Sequence, residues 1–148
     1  KVGTITVVNN ALKKLSEKKI KPKYVCCIYP AAPLTKPKNI IFAYKSLKNK
    51  KMDFIYPSTE IRNNEQFLNK KLIKIKKIKK KNGIINDKYL SAGQFWFAKA
   101  ETWKKSKTVF NKNSYTFIIH ERYSDVNNMN DWNRVKKIYL SNKKQYVH

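Results

Sequence analysis

Acidic residues are scarce in this chain, with nine Asp and Glu against 34 Lys and Arg and a formal net charge of +25. Such a charge attracts polyanions, so a basic nucleic-acid-binding module is one hypothesis. Only three of the basic residues are arginine, however, the side chain that most often reads bases and clamps phosphates. Lys, Asn and Ile all have A/T-rich codons, so the composition of the gene explains much of the lysine excess. We therefore rank nucleic-acid binding second.

Glycine, cysteine and long apolar runs are also rare. Three glycines are too few for a glycine-rich loop around a phosphate. The two cysteines, Cys26 and Cys27, are adjacent, and neighbours in a strand point to opposite faces, so they are poorly placed to form a disulfide. No apolar run approaches the ~18 residues of a membrane-spanning helix, and no signal peptide is visible. We therefore expect a cytoplasmic protein with no membrane partner.

The sequence contains an alternation of helical and strand patterns over a length, 148 residues, that fits a single domain. Helical spacing covers 4–18 and 37–48, and apolar runs that prolines close cover 24–29 and 53–57. The run 24–29 is continuously apolar, which predicts a strand buried on both faces. This order predicts an α/β fold with a mainly parallel or mixed sheet flanked by helices. A site is then expected beyond the carboxyl ends of the strands, in the loops after Tyr29 and Tyr56.

The second half begins with a lysine-rich stretch, 66–86, whose isoleucines fit both helical and strand spacing. We rank a solvated edge strand or arm guarded by lysines first, an oligomer contact through the isoleucines second and a nucleic-acid patch third. Further strands are predicted at 95–97 and 116–119, and helices at 100–105 and 129–140. At the start of the last helix, Asn128 and Asp131 have the spacing of a capping box.

Two places in this half carry candidate chemistry. Asp125 and Asn127, two positions apart in an extended segment, would present a carboxylate and an amide oxygen on one side, as a hard cation such as Mg²⁺ requires. The alternative is that Asp125 only stabilises a turn. Gln94 follows Ala92-Gly93 and precedes three aromatic residues, so its amide either meets a polar ligand or hydrogen-bonds to backbone at the start of a strand.

Three segments together resemble a known family: "YVCCIYPAAPL" at 24–34, "YLSAGQFWF" at 89–97 and "RYSDVNNMNDWNRVKKIYL" at 122–140. They are similar to the second half of acylneuraminate cytidylyltransferases, and most similar to the branch that acts on pseudaminic acid. The order and approximate separation of the segments agree with the family, and the resemblance covers about residues 4–140.

The resemblance implies a fold like that of nucleotide-diphospho-sugar transferases and a homodimer, with 60–88 as the dimerisation arm. It implies transfer of CMP from CTP to a nine-carbon sialic-acid-like sugar, with Mg²⁺ and release of pyrophosphate. Asp125 and Asn127 would be at the metal positions and Gln94 beside the sugar acid. The loop after the central strand, including Tyr29, Pro30 and Ala31, would form the floor of the site.

Several positions depart from the family pattern. Asn127 replaces the second metal-binding aspartate, Leu90-Ser91 replace His-Asp, and Ala31 replaces a threonine. The family's N-terminal part, which holds the CTP phosphates, has no counterpart in the resemblance. We therefore expect this chain to be a C-terminal part of the fold that is incomplete for catalysis by itself, or a non-catalytic relative.

Overall fold

The computed structural model describes residues 3–49, 51–60, 72–74, 84–85, 89–119 and 126–144. In these ranges the chain forms helices and strands in the order α1 (Thr4–Glu17), β1 (Tyr24–Ile28), α2 (Pro37–Asn49), β2 (Phe54–Glu60), β3 (Leu72–Lys74), β4 (Ile84–Ile85), β5 (Tyr89–Ser91), β6 (Phe95–Lys99), α3 (Ala100–Lys105), β7 (Tyr115–Ile118) and α4 (Met129–Lys144).

Local sequence explains where the first two helices begin and end. Helix α1 buries Val8 and Leu12, one helical turn apart, and ends before Lys19, whose φ of 61° is in the left-handed region. Helix α2 begins at Pro37, which has no N–H to leave unbonded in the first turn. Both helices lie within one residue of the predicted bounds, because apolar spacing and a proline in the first turn are local signals.

The α/β class is confirmed, but the prediction of a mainly parallel sheet is wrong for the described strands. Five of their six pairings are antiparallel, and only β2–β7 is parallel. Strands β1 and β2, joined through α2, do run in the same direction. They are not neighbours, because β6 lies between them and is antiparallel to both. The alternation of helices and strands along the sequence predicted the direction of β1 and β2. It did not predict that β6 lies between them.

Strand β1 also differs from its prediction as a strand buried on both faces. It pairs with β6 alone among the described strands, and its residues are half-buried or, at Ile28, 50% exposed. Among the described strands β1 is therefore outermost, and its side chains are partly buried on both faces of the sheet.

Strand β2 continues through Pro57, although the proline was expected to end it. The first part of β2 pairs with β6 and its last part with β5, and the register shifts between them. Pro57 falls at this shift, where its carbonyl accepts the Ala92 N–H at 3.0 Å and no N–H is required from the proline. The turn from β5 to β6 includes Gly93, whose φ of 60° suits glycine.

Helices cover both faces of the sheet. On one face, α1 and α3 pack on an aromatic cluster that includes Phe54, Tyr56 and Trp96. On the other face, α2 packs on a second apolar cluster that includes Phe95 and Phe117. Cys27 contacts the first cluster and Cys26 the second, so the prediction that the two thiols point to opposite faces is confirmed.

Parts of the lysine-rich stretch join the sheet as strands. Leu72–Lys74 pairs antiparallel with β7, and Ile84–Ile85 pairs antiparallel with β5, so the strand interpretation holds for these residues. The rest of 60–88, apart from Glu60, lies outside the described residues, and its role as a dimerisation arm stays a prediction. Across the described residues, no helix combines the length and apolar character needed to cross a membrane.

Candidate functional site

Most of the candidate residues lie at one end of the sheet. Strands β1, β2 and β7 run in the same direction, so their carboxyl ends lie there, and the antiparallel strand β6 begins at the same end. Tyr29 directly follows β1 and Gln94 directly precedes β6, and the Tyr29 N–H donates to the Gln94 carbonyl at 2.9 Å. The sheet thus brings together two residues that are 65 positions apart in the sequence.

The loop after β1 has a turn of defined shape. The Ala32 N–H donates to the Tyr29 carbonyl at 3.1 Å, which closes a turn with Pro30 and Ala31 at its centre. The Tyr29 hydroxyl lies 2.9 Å from Oγ1 of Thr4, in the first turn of α1. This contact fixes the start of α1 beside the loop, so backbone N–H groups of a helix N-terminus lie close to Tyr29.

The segment before α4 reaches the same loop. The Val126 N–H donates to the Ala31 carbonyl at 2.8 Å, which joins this segment to the loop after β1. Val126 therefore lies directly beside the loop after β1. Asp125 itself lies outside the described residues, and its position as a metal ligand stays a prediction.

Gln94, at this end of the sheet, is a buried polar residue with an unsatisfied side-chain oxygen among the described residues. It is 4% exposed, and its Oε1 has no hydrogen-bond partner among the described residues. A buried carbonyl oxygen without a donor costs about 1–3 kcal/mol, so folded proteins rarely keep one without a reason. Side chains alternate along a strand, and Gln94 therefore lies on the same face as Trp96. The oxygen therefore keeps an unused acceptor capacity among the described residues, and contact with a ligand stays a prediction.

A buried hydroxyl pair that the sequence pattern did not predict joins the last part of β2 to β7. Thr116 Oγ1 donates to the Tyr56 carbonyl at 2.9 Å and is also hydrogen-bonded to the Ser58 hydroxyl. All three residues are fully buried. The Tyr56 hydroxyl has no partner among the described residues, and burial raises the pKa of this phenol. Ser and Thr inside otherwise apolar strands were the sequence signal that could have identified this pair.

The start of α4 has the predicted cap in a slightly different form. The Asp131 N–H donates to Asn128 Oδ1 at 3.1 Å, as a capping box requires. The Asp131 carboxylate accepts the N–H of Asn127, at 3.2 Å, instead of that of Asn128, and it lies 3.6 Å from Arg134. Asp131 therefore stabilises the helix terminus, as predicted.

The donor types at 125–127 suit a hard cation, because carboxylate and amide oxygens are the ligands that Mg²⁺ prefers. Asn127 is exposed directly before α4. Among the described residues, no group of three or more His, Cys, Asp or Glu side chains could hold a metal.

The adjacent cysteines of β1 are protonated, unreactive thiols. Burial, with a smaller contribution from Cys27, raises the pKa of the Cys26 thiol to about 12, and burial also raises the pKa of Cys27. Both thiols are therefore neutral at physiological pH, which disfavours a nucleophilic role.

Comparison with known proteins gives a distant but extended similarity. The chain is 25% identical, over 95% of its length, to the pseudaminic acid cytidylyltransferase of Campylobacter jejuni subsp. jejuni serotype O:23/36. It has the same identity and coverage with the pseudaminic acid cytidylyltransferase of serotype O:2. In both cases the chain spans only 64% of the relative's length. No protein-family model matches the sequence.

Proposed function

We propose that this chain contributes the sugar-binding part of a cytidylyltransferase, which transfers CMP from CTP to a nine-carbon sialic-acid-like sugar such as pseudaminic acid. The observation that carries the proposal is the similarity to two pseudaminic acid cytidylyltransferases over 95% of this chain. Backbone hydrogen bonds at one end of the sheet join Tyr29 to Gln94 and Ala31 to Val126, which supports this location for the site.

In the proposed reaction, the anomeric hydroxyl of the sugar attacks the α-phosphorus of CTP and pyrophosphate leaves. Residues Tyr29–Ala31 form the floor of the pocket. Gln94 Oε1 accepts a hydrogen bond from the sugar, which supplies the donor that this buried atom lacks among the described residues. We expect the rest of the transferase, including the groups that hold the CTP phosphates, to come from the part of the relatives that this chain does not match.

Asp125 and Asn127 would hold a Mg²⁺ ion. When bound, Mg²⁺ neutralises negative charge on the phosphates. The substitution of an aspartate by Asn127 removes one formal negative charge from the family's pair, so we expect weaker metal binding here than two carboxylates would give.

Sugar binding tests the proposal at Gln94. Pseudaminic acid is titrated into the ¹⁵N-labelled chain, and the side-chain amide resonances are followed by NMR. We expect those of Gln94 to shift with a saturable dependence on pseudaminic acid, and a neutral hexose at the same concentrations to leave them unchanged. Gln94→Met should weaken the binding, whereas Asn130→Ala, at an exposed position in α4, should not.

Turnover is tested in a chimera in which this chain replaces the matched part of the serotype O:2 protein. We expect pyrophosphate release that requires the sugar, CTP and Mg²⁺ and is lost in Asp125→Ala. A folded chimera without turnover, together with unchanged Gln94 resonances in the sugar titration, would contradict the proposed function. Turnover that survives Asp125→Ala would contradict only the role of Asp125.

A further inference from the structure

The described loops that precede β1, β2 and β7 are rich in lysine. These loops are 18–23, 51–53 and 106–114, and they lie at one end of the sheet because the three strands run in the same direction. Seven of their 18 residues are lysine, and all seven lysine side chains are exposed. Asp53 is their one acidic residue, so seven lysines and one carboxylate give the loops a net charge of +6. We call this surface the lysine end of the sheet.

Backbone hydrogen bonds join these loops to one another and to α3. The Ala100 N–H donates to the Lys23 carbonyl at 3.0 Å, which joins the loop before β1 to the start of α3. The Asp53 N–H donates to the Asn113 carbonyl at 3.0 Å, which joins the loop before β2 to the loop before β7. Because β6 lies between β1 and β2, the basic loops follow one another across four neighbouring strands.

The base composition of the gene does not explain where these lysines lie, because a bias toward A/T-rich codons acts on every segment alike. The described loops at the opposite end of the sheet, 29–36, 92–94 and 126–128, contain one lysine, Lys36, among 14 residues. The charge is therefore concentrated at one end of the described sheet and nearly absent from the loops at the other.

An exposed apolar side chain lies among the lysines. At the end of α1, the Lys19 N–H donates to the Ser16 carbonyl and the Ile20 N–H to the Leu15 carbonyl, both at 2.9 Å. An apolar residue in the place of Ile20 commonly packs back on such a helix end. Ile20 is nevertheless 51% exposed, with Lys19 and Lys21 on either side of it. The backbone bonds therefore hold an apolar side chain at the surface of the lysine end.

The residue types favour a lipid surface over nucleic acid. None of the three loops contains arginine, and their one aromatic residue, Phe110, packs on Tyr56 and Trp96 in the aromatic cluster. The loops therefore lack the side chains that usually read bases or stack on them. Lysine acts as a compact point charge, and lysines around an exposed apolar residue are typical of segments that bind anionic membranes.

We propose that the lysine end binds the surface of a membrane that contains anionic phospholipids, with its lysines near the headgroups and Ile20 inserted between them. Tyr29 and Gln94 lie at the opposite end of the strands, so the candidate site faces away from the membrane and stays open to substrate. The expectation of no membrane partner concerned spanning segments, which binding to a membrane surface does not require. The proposal does not depend on the catalytic function, since it rests on charge and exposure alone.

The test is flotation of the purified chain with lipid vesicles. Vesicles of phosphatidylcholine with roughly 30% phosphatidylglycerol are compared with vesicles of phosphatidylcholine alone. We expect the chain to bind the anionic vesicles at least ~10-fold more tightly, and to lose most of this preference at ~0.5 M salt, where charges are screened. Equal binding to both kinds of vesicle, or binding to neither, would overturn the proposal.

Two double variants with the same change of charge locate the binding surface. Lys21→Glu with Lys107→Glu reverses two exposed charges of the lysine end, and Lys136→Glu with Lys137→Glu reverses two exposed charges of α4. The first pair should weaken binding to the anionic vesicles by ~10-fold or more, and the second by less than ~3-fold. Equal losses in the two folded variants would mean that net charge alone attracts the chain, and would overturn the proposal.

Ile20→Ser tests whether an apolar side chain enters the lipid. It should weaken binding to the anionic vesicles by ~3-fold or more, because the exposed half of Ile20 no longer leaves water. Ile41→Ser is the matched control, since Ile41 is 52% exposed in α2, and it should leave the affinity unchanged. Equal effects of the two variants, or tighter binding of the chain to a single-stranded oligonucleotide than to the vesicles, would favour nucleic acid as the partner and contradict the proposal.

Discussion

Replacement of Gln94 by methionine should raise the stability of the protein while it weakens ligand binding. Gln94 is 4% exposed, and its Oε1 has no donor among the described residues. Such an atom loses its hydrogen bonds to water on folding, at a cost of about 1–3 kcal/mol. Methionine has a similar length and no amide, so it fills the same space without this cost.

We expect Gln94→Met to increase the free energy of unfolding by about 1 kcal/mol, at the low end of the penalty, because imperfect packing of the thioether offsets part of the gain. For a chain of this size, the melting temperature should rise by about 2–4 °C. Urea and thermal unfolding followed by circular dichroism measure both quantities. Sugar binding should weaken by about tenfold, which is the loss of one hydrogen bond to the ligand.

Thr116→Val is the matched control, since it also replaces a buried polar side chain by an apolar one of similar shape. The Thr116 hydroxyl is satisfied by the Tyr56 carbonyl and by Ser58. Its removal leaves those groups short of a partner and should lower the free energy of unfolding by about 1–2 kcal/mol. Equal destabilisation by Gln94→Met and Thr116→Val would refute the reasoning, because Gln94 would then be satisfied in the folded protein.

Three further predictions concern the metal, the last helix and alkaline pH. Asn127→Asp should tighten Mg²⁺ binding by roughly fivefold or more, because it adds a negative charge at the proposed metal position. Asn130→Asp adds the same charge within α4 and should change the affinity for Mg²⁺ less. Calorimetric titration measures both affinities, and equal effects of the two variants would contradict the assignment of Asn127 to the metal site. Asn128→Ala should lower the free energy of unfolding by about 0.5–2 kcal/mol through loss of the α4 cap, and unchanged urea unfolding would count against the cap. Burial raises the pKa of Cys26 from 9.0 to about 12 and also raises that of Tyr56, so the folded state holds these protons more tightly than the unfolded state does. Their contribution to the free energy of unfolding is complete below about pH 9 and is lost as pH rises further. Urea unfolding at a series of alkaline pH values should show a smaller decline in stability for Cys26→Ala and for Tyr56→Phe. The same dependence of stability on pH in these variants as in the unchanged protein would contradict the prediction.

Local signals were sufficient for the helices and for the cap of α4. The start of α2 at Pro37 and the bond between Asp131 and Asn128 depend on residues within one or two turns of each other, so their chemistry is visible in the sequence. The alternation of Cys26 and Cys27 between the two faces of the sheet is likewise a property of any strand.

Tertiary structure alone decided which strands are neighbours and which polar atoms find partners. Tyr24–Ile28 has the composition of an interior strand, but β6 is its only neighbour among the described strands. Pro57 lies inside β2 because β2 changes its partner there, from β6 to β5, and the register shifts between the two pairings. Gln94 Oε1 has no donor among the described residues, and the residue hydrogen-bonded to the Gln94 backbone, Tyr29, is 65 positions away in the sequence. Hydrogen-bond partners across a sheet depend on long-range pairing, which residue spacing within one segment does not encode.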